Sequence, residues 1–186
     1  MAYLIIGIAL WIGIHLIPSV GLSWKEAIVN RIGLMTYRAL FALSILGCMA
    51  LIIIGWQTAQ PVSVYIPPYE LRWVTIPIVV LAFVLLGATG RPSRIGRLIR
   101  FPQLTAVILW AGAHLLANGD SRSLVLFTGM ALWAVIMIVV MSRRDTQWEK
   151  RPAPPWSIEI TGIGVMLLVA LGVIVGHPHL TGMPVL

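Results

Sequence analysis

The sequence predicts an all-α protein, a polytopic bundle of about six transmembrane helices. Hydrophobic residues make up 59% of the 186 residues and charged residues only 10%, whereas a soluble domain carries about 25% charged residues. The mean hydropathy is +0.96. The apolar residues gather into six segments that approach the roughly 20 residues needed by a membrane-spanning helix. The basic residues collect in alternate connections between these segments. We therefore expect one integral membrane domain over residues 1–186.

The six apolar segments follow one another along the chain. They cover about Ala2–Val20, Ala39–Trp56, Arg72–Thr89, Pro102–Ala117, Ser123–Met141 and Ile158–Gly176. The first segment lacks the basic N-terminal region of a signal peptide, so we expect it to be a retained helix. Pro77 predicts a kink in the third. The spacing of Gly172 and Gly176 predicts a close-packing face on the sixth.

The basic residues predict the orientation of the chain. Eleven of the thirteen lie in the first, third and fifth connections, and only Arg72 and Arg122 lie in the second and fourth. The positive-inside rule then makes the odd connections cytoplasmic and places both termini outside. The net charge of +7 accordingly indicates anionic membrane lipids as partners, and not nucleic acid. The arginine-rich stretch 91–100 is either an interfacial segment or a plain cytoplasmic loop.

A Trp-x-x-x-His motif occurs twice, as Trp11 with His15 and as Trp110 with His114. Residues four apart in a helix share a face, so each tryptophan lies beside its histidine. Asn118 follows one turn after His114 on the same face, and the next two residues, Gly-Asp, favour a helix end. Since the motif recurs in helices one and four of six, it predicts an inverted 3+3 repeat.

The ionisable residues within the apolar segments are the candidates for function. His15 and His114 lie deep in their segments, Glu159 lies near an end, and His177 and His179 lie at the outer end of the sixth. A neutral histidine can ligate a metal or haem, carry a proton, or hydrogen-bond a neighbouring helix. The tryptophans of the two motifs either form flat apolar walls for a porphyrin or pack as ordinary membrane residues.

Several other patterns resemble those of a known family. They are the run from Arg100 to Asp120, Tyr37-Arg38-x-Leu-Phe41, the Pro67-Pro68 pair and the terminal His179-Leu-Thr-Gly-Met-Pro. Together they resemble the NnrU family of bacterial membrane proteins, which is similar to 15-cis-zeta-carotene isomerase, a haem b enzyme. Bacterial members of the family are associated with denitrification. The resemblance implies about six helices, a bacterial inner membrane location and haem b binding.

The resemblance also assigns candidate ligands. His114 and His15 match the positions proposed as haem ligands of the isomerase. Phe101 stands where the family usually has a histidine, and Ala111 where the isomerase has a cysteine proposed as an alternative ligand. Neither Phe101 nor Ala111 can ligate iron, so we expect no ligand exchange of that kind here.

The predicted topology leaves the second ligand open. In straight helices the depths of His15 and His114 differ by on the order of 10 Å, at about 1.5 Å per residue. Two imidazoles on one iron need nitrogens only about 4 Å apart. Three arrangements stay open. A tilted or broken helix brings His15 to His114, or His177 pairs with His114, or each histidine forms a separate single-histidine site.

We therefore expect a haem b-binding membrane protein with His114 as the first ligand candidate. It would act in nitrite or nitric oxide metabolism or, if it is an enzyme, as a redox-gated cis–trans isomerase of a polyene, a hydrophobic small molecule. The alternatives are a small transporter with inverted repeats and a structural membrane protein without a cofactor. The candidate cofactor-binding residues are His114, His15, Trp110, Trp11, Asn118 and His177, of which His114 and His15 are the candidate metal ligands.

Overall fold

A computed structural model describes residues 1–150 and 152–182 and is built of α-helices. The helices are α1 (Ala2–Val20), α2 (Leu22–Ile32), α3 (Leu34–Thr58), α4 (Arg72–Gly87), α5 (Pro102–Ala117), α6 (Ser121–Arg144) and α7 (Trp156–Thr181). By length and composition α1, α3, α6, α7 and the stretch Tyr69–Gly87 can cross a membrane, and α5 is apolar but shorter. The predicted fold class, a polytopic helical membrane bundle, is confirmed.

The six predicted segments correspond to α1 and to α3 through α7. The bounds predicted for α1 and α5 agree with the observed ones, while α3 and α7 extend beyond the predicted Ala39–Trp56 and Ile158–Gly176. The first connection, which no apolar segment marks, contains α2. Gly21 and Gly33 bound this helix, and Gly33 has a φ of 83°, a conformation that glycine adopts at little cost. Arg151 of the fifth connection and Met183 and Pro184 of the terminal motif lie outside the described residues.

The described chain forms two compact units. The first unit comprises Met1–Ile66 and Gly119–Arg144, and the second comprises Pro67–Asn118 together with the described residues from Asp145 onward. Each unit takes helices from both halves of the sequence. The two Trp-x-x-x-His motifs lie in different units, and the inverted 3+3 repeat stays a prediction.

Glycines bring α1 and α3 together in the first unit. A Cβ at Gly55 would overlap the backbone of Leu4, and a Cβ at Gly7 would lie 2.9 Å from the backbone nitrogen of Ile52. The two helices therefore pack backbone to backbone at these positions. A Cβ at Gly172 or Gly176 meets no described atom within 4 Å, so the close-packing face expected there stays a prediction. The spacing of small residues does not reveal which face of a helix is covered.

The Gly119-Asp120 pair ends α5 and begins α6. The backbone N–H groups of Val64 and Tyr65 donate to the Gly119 carbonyl at 2.9 and 3.1 Å, and a Cβ at Gly119 would overlap the Tyr65 carbonyl. Asp120 Oδ1 accepts from the backbone N–H of Ser123 at 3.1 Å, an N-cap for α6. The predicted helix stop is confirmed, and these two residues serve the fold.

The second unit is built on α4, which packs against both α5 and α7. Its buried core contains Ala82 and Leu85 from α4 and Ala106 from α5, and Trp110 packs against this core. Small residues on both helices allow the close approach. This packing fixes the position of α5 and with it that of His114.

Candidate functional site

A cavity beside His114 lies within the second unit, between α4, α5 and α7. Its volume is about 140 Å³ and it is partly open. The apolar part of its wall consists of Ile76, Val79, Phe83, Trp110, Ala113, Ala117, Val173 and Ile174. The polar part consists of Arg72, Thr75, His114, Asn118 and His177. A mostly apolar cavity with a few convergent polar groups is the usual form of a small-molecule or cofactor site.

Two of the histidines that line this cavity lie close to each other. The ring centroids of His114 and His177 lie 6.4 Å apart, and their planes are inclined by 39°. Allowing roughly 2 Å for each metal–nitrogen bond and about 1 Å from nitrogen to ring centre, two imidazoles on opposite sides of one metal have centroids roughly 6 Å apart. The observed separation matches that of an axial pair.

The hydrogen bond made by His114 defines its tautomer. Its Nδ1 lies 2.8 Å from the carbonyl oxygen of Trp110, one turn earlier in α5. Because a carbonyl only accepts, Nδ1 carries the proton, and Nε2 of the neutral ring carries the lone pair. Metal-bound histidines are typically oriented by such a bond from the other ring nitrogen. Asn118 donates from Nδ2 to the His114 carbonyl at 2.9 Å, so it belongs to the same local structure.

Thr181 orients His177 in a similar way. The Thr181 hydroxyl donates to the His177 carbonyl at 2.9 Å, and its oxygen lies 3.3 Å from His177 Nδ1. Since the single hydroxyl hydrogen is used by the carbonyl, the oxygen accepts from Nδ1–H. The lone pair of His177 is then also on Nε2.

The donor set restricts the kind of metal group that the cavity suits. Among the described residues no group of three or more His, Cys, Asp or Glu side chains could hold a metal ion. A structural zinc site needs four protein ligands. An iron tetrapyrrole brings four nitrogens of its own and needs one or two axial ligands from the protein, so two histidines are a sufficient set.

The first unit holds the other motif in an aromatic cluster. His15 Nδ1 lies 2.8 Å from the Trp11 carbonyl oxygen, the same local bond as in His114. The His15 ring centroid lies 4.5 Å from that of Trp11, 4.9 Å from Trp133 and 5.7 Å from Phe41. We call these four residues the His15 cluster.

The His15 cluster contains buried donors. Nε1 of Trp11 and Nε1 of Trp133 have no hydrogen-bond partner among the described residues, and the same holds for the hydroxyl of Tyr37, which stacks on Phe41. An unsatisfied buried donor costs about 1–3 kcal/mol. These three donors have no acceptor in the described part of the chain.

Of the candidate residues, the structure brings His114, Trp110, Asn118 and His177 to one cavity, and holds His15 and Trp11 in the other unit. Sequence reasoning missed Trp133, because an isolated tryptophan in an apolar segment gives no periodic signal. It also missed Phe83, a cavity wall residue that no motif marks.

A family model describing the NnrU protein matches residues 3–185. The chain belongs to the NnrU family. The match includes both Trp-x-x-x-His motifs and both units, so the NnrU domain extends over nearly the whole chain. No curated protein and no solved structure matches this NnrU chain.

Proposed function

We propose that this NnrU protein binds haem b in the second unit, where His114 and His177 would hold its iron. The observation that carries the proposal is the 6.4 Å separation of their ring centroids. The Nδ1 contacts of both rings support it, because they leave each Nε2 with a lone pair. His15 lies in the other unit and is not needed by this arrangement.

The cavity is large enough for the centre of a haem group but not for the whole macrocycle. A cavity of about 150 Å³ holds a molecule the size of benzene, and this one measures about 140 Å³. A porphyrin held by these histidines would therefore need the open side of the cavity. Aliphatic side chains of α4 and α7 supply the apolar surroundings that a macrocycle prefers.

The residues of the chain have three tasks in this proposal. The Trp110 carbonyl and the Thr181 hydroxyl hold the two imidazoles in position. Ile76, Val79 and Phe83 keep water from the cavity and lower the local polarity. Haem, when bound, would supply an iron centre that changes oxidation state, and nitric oxide would bind to it by displacing one of the two histidines. We propose a role in nitrite or nitric oxide metabolism for this NnrU protein.

A second role is redox-gated cis–trans isomerisation of a polyene, as the likeness to zeta-carotene isomerase implies. The apolar lining of the cavity favours a hydrocarbon ligand. The two roles are distinguished with the purified protein. Nitric oxide binding to the reduced form shifts the Soret band in the first case. The second role is identified if the reduced form, and not the oxidised form, converts a 15-cis polyene. Chromatography follows this conversion.

The visible spectrum of the detergent-purified protein, oxidised and then reduced with dithionite, tests the proposal. We expect a Soret band that shifts on reduction, with about one haem per chain as the donor set requires. A colourless protein from cells supplied with haem precursor would contradict haem binding and would leave a transporter or a structural protein as the better interpretation.

We also propose that both termini lie outside the bacterial inner membrane. The distribution of basic residues carries this proposal. Arg91 Nη1 donates to the Ile158 carbonyl at 3.3 Å, which supports it, because the third connection and the start of α7 then lie at the same end of the second unit. In intact spheroplasts an impermeant thiol reagent should label Val62→Cys and not Lys25→Cys. The reverse pattern would contradict the orientation.

A further inference from the structure

A second recess in the second unit, which we call the α7 groove, runs along the start of α7. It is lined by Gly87, Arg91, Ser157, Ile158, Thr161, Gly162, Val165 and Met166, and its volume is about 480 Å³. It shares no lining residue with the histidine cavity. The groove is wide open along one side, so it suits a ligand that approaches from the surroundings of the helix.

Arg91 is held rigidly at one end of this groove. Its Nε donates to the Gly87 carbonyl at 2.6 Å and its Nη1 to the Ile158 carbonyl at 3.3 Å. The guanidinium lies against Gly162, where a Cβ would overlap Nη2. No described residue accepts a hydrogen bond from Nη2. Arg91 therefore presents a fixed positive charge with spare donors.

Two hydroxyl groups continue the polar end of the groove. Ser157 and Thr161 lie one helical turn apart on α7, and Val165 follows one turn later on the same face. Neither hydroxyl has a hydrogen-bond partner in the described part of the chain. Beyond them the lining is apolar, with Val165 and Met166. Polarity thus falls along the groove from a charged end to a hydrocarbon end.

The nearest carboxylate does not line the groove. Glu159 is 2% exposed and accepts from Ser93 Oγ at 2.9 Å, from the backbone N–H of Arg94 at 3.2 Å and from that of Ile95 at 3.3 Å. These bonds tie the arginine-rich connection to α7. The guanidinium of Arg94 lies 4.0 Å from the ring centroid of Trp156, which adds a cation–π contact. Glu159 interacts electrostatically with Arg91, but the lining itself contains Arg91 and no carboxylate, so the charge presented in the groove is positive.

We propose that the α7 groove binds an anionic phospholipid. The phosphate would accept from Arg91 Nη2 and from the hydroxyls of Ser157 and Thr161, and an acyl chain would lie along Val165 and Met166. No carboxylate lines the positive end of the groove. This end therefore matches a net anionic headgroup better than a zwitterionic one. The cytoplasmic leaflet, which the basic connections are expected to face, is where anionic lipids are concentrated.

Native mass spectrometry of the full-length protein with equal amounts of phosphatidylglycerol and phosphatidylcholine tests this proposal. We expect the wild-type protein to retain phosphatidylglycerol preferentially. Arg91→Gln should weaken that binding about tenfold, because a charge-assisted hydrogen bond is lost. Arg97→Gln, which removes a charge from the same connection but outside the groove, should change it by less than about twofold.

Glycine variants give a second measurement that leaves the charge unchanged. Gly162→Ala should displace the Arg91 guanidinium and weaken phosphatidylglycerol binding, whereas Gly164→Ala should not, because a Cβ there meets nothing within 4 Å. Helicity by circular dichroism checks that each variant folds. Equal loss in Arg91→Gln and Arg97→Gln, equal binding of the two lipids, or displacement of the lipid by inorganic phosphate would overturn the assignment.

Discussion

The two Trp-x-x-x-His motifs have the same local geometry and different surroundings. In both, histidine Nδ1 lies 2.8 Å from the carbonyl oxygen of the tryptophan one turn earlier. His15 is enclosed by aromatic rings, whereas His114 borders a mostly apolar cavity and has a second histidine at 6.4 Å. The motif thus sets the tautomer and orientation of the ring. The chemistry depends on residues that distant parts of the sequence bring to it.

The largest effect that this comparison predicts is on haem content. His114→Ala should lose essentially all haem, because it removes an axial ligand. His15→Ala should keep haem at the wild-type ratio, as should His179→Ala, a control at the same end of α7 as His177. Haem per chain, measured as the pyridine complex, checks this. Loss of haem in His15→Ala, together with an unchanged haem spectrum in His177→Ala, would make His15 the second ligand.

A smaller effect on haem affinity is predicted for the residue that orients His177. Thr181→Val removes the hydroxyl 3.3 Å from Nδ1, and loss of such a partner typically weakens metal affinity about 10–100-fold. Thr58→Val is the matched control, since its hydroxyl donates to the Ile54 carbonyl at 2.7 Å in the first unit. Haem transfer to apomyoglobin measures the affinity. Equal transfer rates in the two variants would argue against an orienting role for Thr181.

The glycine contacts of the first unit predict a change in stability. Gly55→Ala should lower the free energy of unfolding by about 1–3 kcal/mol, because the added Cβ overlaps the Leu4 backbone and forces α1 and α3 apart. Gly47→Ala on the same helix meets nothing within 4 Å and should be neutral or slightly stabilising. Denaturant unfolding in detergent compares the two. A neutral Gly55→Ala would contradict the close contact.

The smallest effect is predicted in the His15 cluster. Trp133→Phe keeps an aromatic ring beside His15 and removes an N–H that has no partner among the described residues. We expect a change of less than about 1.5 kcal/mol in the free energy of unfolding, against about 3–5 kcal/mol for Trp133→Ala. A loss in Trp133→Phe as large as in Trp133→Ala would show that the indole N–H has an acceptor.

The sequence predicts the helices and their ends better than it predicts which distant residues come into contact. The bounds of α1 and α5 were predicted because long apolar runs end at Gly21 and at Asn118-Gly119. Helix α2 was missed, since its mixed polar composition resembles a connection. The pairing of His177 with His114 was one of several alternatives, because residues 63 positions apart in the sequence have no spacing rule. The α7 groove was not predicted, because it depends on which glycine the Arg91 guanidinium lies against.

The electron paramagnetic resonance spectrum of the ferric protein shows whether His114 and His177 bind one iron. If His114 and His177 hold one iron between them, the wild type gives a low-spin signal of a bis-histidine haem. His177→Ala then gives a high-spin signal, and His15→Ala stays low-spin. A wild-type protein without a haem signal, or a low-spin signal that His15→Ala loses and His177→Ala keeps, would contradict the claim.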